Sequence, residues 1–540
     1  MKRIVPIISL VSFGLLLFFS CKPKEFPTYS NSVIAAAHPI ASEAGKQMYA
    51  AGGNAFDAAV AAGFTLAVVE PSMSGLGGRL QAIYQTKNGT IAGIDASTEV
   101  PMNYKPSSEK HSFGYPTIGI PGVVAGLLKL HEDQGSLDLQ QVLAPAIQAA
   151  NNGYVILPGE AFRQQMVVEK VKTLAGSAYH FLNKQGQAPE AGDTIIQKDL
   201  GKVLMAIAKE GRKGFYEGEV AQKMAADIQA NGGILTVEDL KNYKALPSRV
   251  LQGIYKGHDV HSLYLPSFGA ITIQILQILD HLEGIQSEEQ WAYEVGEATK
   301  IAYSYRQKQT DQDSLEQILS YAYAAKLAKK IGREAYSSGA DLAQNIPVSW
   351  TVKQGHTSHL TAVDQWGNAV SLTQTIGPNM GSKVATKGLG FLYAVTLGGY
   401  LGDYKPGDRA NSHISPTLVT KENKLVLALG AAGGSRIVTA ITQVISRYLG
   451  QGYPLEKAVF LPRVYPAEDS LWVEDHETVK TINADINPAL YPVKYIEEIA
   501  RFGRVHAVAK DPNKSSWIGS ADPDWELSLI HISEPTRQEA

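Results

Sequence analysis

The stretch from Gln354 to Thr375, QGHTSHLTAVDQWGNAVSLTQT, restricts the folds open to this chain more than any other. Two alternating segments, HLTAV and AVSLT, flank DQWGN, whose Asp, Gly and Asn are residues of a tight turn. The spacing predicts a β-hairpin centred near Trp366. Residues equidistant from that centre face each other, so Thr357 falls opposite position 375, give or take one, with Cβ atoms roughly 5 Å apart. Position 375 is also a threonine. The hairpin alone leaves two readings open: a cross-strand threonine pair that stabilises a sheet, or two hydroxyls placed side by side for chemistry.

Elsewhere the pattern is that of a large mixed α/β chain. SEAGKQMYAAGGNAFDAAVAAGFTLAVV reads as two closely packed helices broken at Gly52-Gly53. A glycine-rich turn follows, then two strands joined at Asn88-Gly89. From about Asp138 to Lys330 the periodicity is mostly helical and reads as scaffold; beyond Ile346 strands dominate. LVLALGAAGGSRIVTAITQVI runs from an apolar strand through Gly433-Gly434 into a helix. Successive backbone N–H groups in such a turn suit an oxyanion, although a plain strand-to-helix turn has the same pattern. A phosphate loop would end in GKS or GKT, and here Ser435-Arg436 follow instead. Neither G-x-S-x-G nor H-E-x-x-H occurs, which removes the usual serine hydrolase and zinc protease readings.

The first residues carry a separate message. Met1-Lys2-Arg3 precedes an apolar run ending in LFFSC, and polar KPKEF follows at once. Residues 1–20 read as an export signal rather than a membrane anchor helix, for which the run is at the short limit. The arrangement resembles a bacterial lipoprotein signal, with Cys21 the lipidated residue of an exported, membrane-anchored protein. Cys21 is the only cysteine, so no disulfide within the chain and no cysteine metal site can form, and no metal or cofactor is expected. Of 540 residues 44% are hydrophobic, enough for a large core, and a net charge of −3 without a basic stripe makes nucleic acid an unsuitable partner. The last stretch, LSLIHISEPTRQEA at 527–540, breaks the preceding pattern and is set apart as a non-native tail.

TSHLTAVDQWGNAVSLTQT resembles the processing site of the gamma-glutamyltransferase family, within the N-terminal nucleophile hydrolases. HPIASEAGKQMYAAGGNAFDAAVA, VEPSMSGLGG, IGIPGVVAGLLKLHEDQG, LAPAIQAANNGY, FYEGEVAQKMA, GGILTVEDLKNY, SPTLV and GAAGGSRI also match, in the family's order, and the likeness runs from about Val33 to Pro523. It implies a four-layer α/β/β/α sandwich assembled from two fragments of one precursor, residues 21–356 and 357–526. Thr357 would cut the chain after His356 and emerge as nucleophile, with its new α-amine, titrating near pH 8, as base. Thr375 would orient the Thr357 hydroxyl, Gly433 and Gly434 would form the oxyanion hole, and His359 would be structural. The substrate would be a small amide or peptide, hydrolysed or used for acyl transfer.

Around the substrate head the sequence departs from the family. The family's arginine for the α-carboxylate is Ser97; its asparagine, glutamine and aspartate around the amine are Ala394, Thr396 and Gly399. The asparagine after TQT is Gly377, the serine pair before SPT is Ser412-His413, and Arg79 stands where a glycine is usual. These changes point to an acyl group other than glutamyl. Two alternatives are a true gamma-glutamyltransferase or glutathione hydrolase, with Arg79 or His413 replacing the carboxylate contact, and a non-catalytic binding protein on the same scaffold.

Overall fold

The computed structural model describes residues 31–282, 287–331, 356–399, 404–467, 470–475, 492–498, 501–524 and 529–533. Residues 1–20, read above as an export signal, and Cys21 lie outside them. Two antiparallel sheets organise the chain. The first runs Leu529–Ser533, Asn31–Ala36, His356–Val363, Ala369–Gly377, Arg79–Gln85, Ile91–Ala96, Leu246–Ser248. The second runs Trp517–Ala521, Arg504–Lys510, Lys424–Ala432, Thr417–Lys421, His258–Leu263, Val250–Tyr255.

The expected hairpin is the middle of the first sheet. Val363 pairs with Ala369 and Ser358 with Gln374, which centres the turn on Trp366. The pairing then slips, because His356 meets Gly377, leaving a bulge at Thr375-Ile376. Alternation along a strand separates the two faces. Leu360 and Ala362 join a core with the fully buried helix Ala55–Val69. Val363 and Ala369 face the second sheet, in a core with Leu418, Ala428 and Val508. A further core packs the helices Gly269–Asp280, Glu288–Ser304 and Ile437–Ile445 against the second sheet.

The two helices predicted around Gly52-Gly53 are Pro39–Ala50 and Ala55–Val69. The second starts at a capping box in which the Asn54 side chain accepts from the N–H groups of Phe56 and Asp57, while Asp57 accepts from that of Asn54. The region 138–330 is mostly helical, as expected, but Val250–Tyr255 and His258–Leu263 add a hairpin to the second sheet. Its turn, Lys256-Gly257, has both residues at positive φ and lacks the usual asparagine or aspartate signal. Leu529–Ser533, inside the tail set apart from the fold, pairs its main chain with Asn31–Ala36.

Between the sheets the hydroxyls of the hairpin have definite partners. Ser371 donates to the Leu429 carbonyl at 2.7 Å and Thr361 to that of His506 at 3.0 Å. The His359 imidazole lies 2.8 Å from the Thr373 hydroxyl through Nδ1 and 3.0 Å from that of Thr361 through Nε2. Since Thr361 has used its only proton on His506, Nε2 carries the hydrogen and Nδ1 accepts from Thr373. Gly430 leaves room for the ring: a Cβ there would stand 2.3 Å from His359 Cε1. Burial pushes His359 down to about 3, so it stays neutral in the folded protein.

A histidine with a lowered folded pKa adds stability that is complete above the unfolded value of about 6.5 and is lost as pH falls toward the folded value. Replacing His359 with Gln should therefore flatten the fall of unfolding free energy between pH 6 and 4 by about 1.4 kcal/mol per pH unit. Denaturant titrations across that range measure the slope, and an unchanged slope contradicts the assignment.

Candidate active site

Thr357 begins the buried part of its strand, on the face turned toward the second sheet, and Thr375 lies on the same face of the partner strand. Both are 3% exposed. The hydroxyls meet directly: Thr357 Oγ1 donates to Thr375 Oγ1 at 3.1 Å. Thr375 in turn donates to the carbonyl of His356 at 2.6 Å and accepts the N–H of Gly377 at 3.0 Å. One proton given and two accepted fill the capacity of a hydroxyl, so Thr375 has a single orientation. The arrangement holds a hydroxyl beside the peptide carbonyl that precedes it and places a donor on that carbonyl, which is the geometry of an N-to-O acyl shift. The His356 ring is kept neutral, pushed down to about 3 by burial and by Arg163, Arg504 and Lys383.

Behind the threonines lies a buried ion cluster absent from the sequence reading. The helix Ala55–Val69 delivers Glu70 at its C-terminal cap, fully buried. Ser358 Oγ donates to Glu70 Oε2 at 2.6 Å. Glu70 Oε1 lies 3.5 Å from Arg163 and 3.8 Å from Arg504, and Arg504 Nη2 donates to the Thr357 carbonyl at 3.4 Å. Arg163 also pairs with Glu160 at 3.0 Å and donates to Ser72 Oγ at 2.8 Å. Burial pushes the Glu70 carboxyl up, against the downward pull of Arg504 and Arg163. A charge closing an otherwise apolar run, VAAGFTLAVVEP, was the one available sequence signal.

The glycine turn approaches from the second sheet. Ala432 pairs with Arg504, the residue that touches Thr357, and Gly433 follows it. Gly433 and Gly434 have φ of 136° and 63°, and a Cβ on Gly433 would stand 2.7 Å from Gly503 Cα, so glycine is required there. A short helical turn, Gly434–Arg436, leads into the helix Ile437–Ile445.

The altered head-group positions occupy varied places. Ser97 is fully buried; its Oγ accepts from Gln81 at 2.9 Å and its carbonyl from Tyr243 at 2.6 Å. Thr396 donates to Thr98 at 2.9 Å. Gly377 and Gly399 have φ of 91° and 76°, and Gly399 lies exposed beside the Lys110 side chain. The Ser412 N–H donates to the Pro266 carbonyl, and the His413 ring stands edge-on to Phe268 at 5.0 Å. Arg79 connects the sheet of Thr357 to these loops. It is the register partner of Thr375, is 1% exposed, and donates to the carbonyls of Val395 and Asn411. A guanidinium thus fills space that a glycine would leave open. Among the described residues no cluster of His, Cys, Asp and Glu is arranged to hold a metal ion.

Both the sequence and the fold have known relatives. The gamma-glutamyltranspeptidase family model matches residues 41–527. A glutathione hydrolase proenzyme from a Pseudomonas species is 32% identical over 473 residues, covering 81% of each chain. An acylase ACY 1 proenzyme from another Pseudomonas strain is 30% identical, covering 85% of this chain and 86% of its own. The crystal structure of cephalosporin acylase from Bacillus halodurans superposes with a TM-score of 0.83 at 25% identity, over 96% of this chain and 99% of that one. With the match spanning most of the sequence and the fold, the chain belongs to the gamma-glutamyltranspeptidase family and is an amide hydrolase or acyltransferase of that type.

Proposed function

We propose that this protein cuts its own chain between His356 and Thr357 and then uses Thr357 as an N-terminal nucleophile. The observation that carries the reading is the relay from Thr357 Oγ1 to Thr375 Oγ1 to the His356 carbonyl. In the first reaction Oγ1 attacks that carbonyl carbon, the C–N bond breaks, and water releases the resulting ester. The product is a free α-amine on Thr357. In the second reaction this amine takes the hydroxyl proton, Oγ1 attacks the substrate carbonyl, and the N–H groups of Gly433 and Gly434 receive the oxyanion. The amine leaving group departs protonated, and water or an acceptor amine takes the acyl group from Thr357. Residues 21–356 and 357–526 then form one four-layer α/β/β/α unit, a reading supported by the two sheets with helices packed on each. Export and lipid anchoring at Cys21 complete the proposal; no helix among the described residues is long and apolar enough to cross a membrane.

The preferred substrate is an acyl amide without the paired α-amine and α-carboxylate of a glutamyl group. Support comes from Ser97 enclosed by Gln81 and Tyr243, from Gly399 without a side chain, and from likeness to two acylases. The second reading, a glutathione hydrolase, is favoured by the 32% identical proenzyme and by Arg79 beside Thr375. A binding protein on this scaffold would have no use for the complete hydroxyl relay.

Purified wild-type protein should run as two fragments, the smaller beginning Thr-Ser-His, and Thr357→Ala should stay one chain; catalysis by an uncut wild-type chain would remove Thr357 from its role. Two missing charge-assisted contacts, at about 1.5 to 3 kcal/mol each, should lower kcat/KM for γ-glutamyl anilides by about a hundredfold or more relative to anilides of simple carboxylic acids. Vigorous glutathione hydrolysis would instead establish the second reading. Its loss in Arg79→Ala but not in His413→Ala would then identify the carboxylate contact.

A further inference from the structure

We propose that Glu70 and Arg504, braced by Arg163 and Glu160, form a clamp that positions Thr357 for both reactions and becomes its main tether once the bond to His356 is cut. The inference rests on the reading of Thr357 as an N-terminal nucleophile. It begins from a weakness in the sheet. Asn31–Ala36 accompanies the nucleophile strand only as far as Leu360, the partner of Ala36. Beyond that point, among the described residues, the strand pairs on one side only, and there the register slips between Gln374 and Gly377. Thr357 and Ser358 therefore occupy a half-paired, bulged strand end, and cleavage turns that end into a chain terminus. Such termini fray unless something ties them down.

The ties are in place and use atoms that survive cleavage. Arg504 holds the main-chain carbonyl of Thr357 at 3.4 Å, and Glu70 holds the side chain of the next residue, Ser358, at 2.6 Å. The two clamp residues face each other at 3.8 Å, so the strand end is gripped on its backbone and on its side chain by one ion pair. Glu70 is itself fixed. Its N–H donates to the Leu66 carbonyl at the end of a buried helix, and Arg163 lies 3.5 Å from its carboxylate. Arg163 is bound to Glu160 and Ser72, Ser72 to Glu160, and Gln164 to Glu160. Asn379, two residues beyond Gly377, donates to the Arg163 carbonyl at 2.6 Å.

The composition of the cluster fits a positioning role. Two carboxylates and two guanidiniums balance, and all four side chains are at most 4% exposed. Replacing such a network by apolar residues is often harmless to stability, so its presence calls for a reason other than stability. The cluster also joins elements on the two sides of the cut: Glu70, Glu160 and Arg163 precede it, while Ser358, Asn379 and Arg504 follow. A nucleophile displaced by about 1 Å loses on the order of a hundredfold in rate, which is the loss the clamp prevents.

The test uses full-length protein allowed to mature, with an anilide substrate and the fragment N-terminus sequenced in every sample. Ser358→Ala removes the Glu70 hydrogen bond without leaving a buried charge unpaired, and Arg504→Lys keeps the charge while shortening the reach to the Thr357 carbonyl. Both should lower kcat at least tenfold with KM unchanged and the melting temperature within a few degrees of wild type, Arg504→Lys retaining more activity than Arg504→Met. A folded Ser358→Ala chain that is not cut supports the clamp equally, because the first attack needs the same placement. Variants that mature and keep wild-type kcat overturn it, as does a Ser358→Ala protein unfolded at the assay temperature, which makes the contact structural. If wild-type protein is active without Thr357 at a chain terminus, the nucleophile reading has failed rather than the clamp.

Discussion

The hydrogen bond from Thr375 to the carbonyl of His356 is the contact on which the proposed chemistry depends. It places a hydroxyl donor on the carbonyl that precedes Thr357, and it leaves the Thr375 oxygen able to accept from Thr357. Both hydroxyls are buried, so water does not compete for either proton. The hairpin register already opposes Thr357 and Thr375, and the slip beyond them sends Gly377 to His356, where the Gly377 N–H fixes the Thr375 hydroxyl. A local irregularity in pairing thereby coincides with the proposed site of chemistry.

The surrounding fold supplies enclosure from two directions. Strand alternation sends Thr357, His359 and Thr361 toward the second sheet and Ser358, Leu360 and Ala362 toward the helix Ala55–Val69. On one face the second sheet brings Arg504 and, one residue past its partner Ala432, the Gly433-Gly434 turn. On the other face the helix ends at Glu70 beneath Ser358. Neutral His359, with Nδ1 occupied by Thr373, serves as packing and as a hydrogen-bond bridge; it has no lone pair to offer Thr357. His359, two residues after Thr357, is therefore read as structural and not as a base.

What the sequence disclosed follows the range of the forces involved. The hairpin centre at Trp366, the helix break at Gly52-Gly53 and the Asn88-Gly89 turn were legible because each is set by a few adjacent residues with special backbone preferences. The hairpin at Val250–Leu263 was not, because its Lys256-Gly257 turn reaches positive φ without the customary residues. The ion cluster was hidden for another reason. Glu70, Arg163 and Arg504 are distant in the chain, and each looks alone like a surface charge; only the assembled fold brings them to one buried point. Arg79 was visible as an unusual residue, but that it bridges the nucleophile's sheet to the carbonyls of Val395 and Asn411 needed coordinates.

In the proposed reaction one oxygen, Thr357 Oγ1, forms the covalent bond to substrate. Mass spectrometric peptide mapping of the matured enzyme, quenched in acid during turnover of a slowly deacylating amide or ester, tests this directly. A nucleophilic Thr357 requires an acyl group on the first residue of the small fragment and on no other residue. An adduct on any other side chain, Ser358 and Thr375 included, would contradict it.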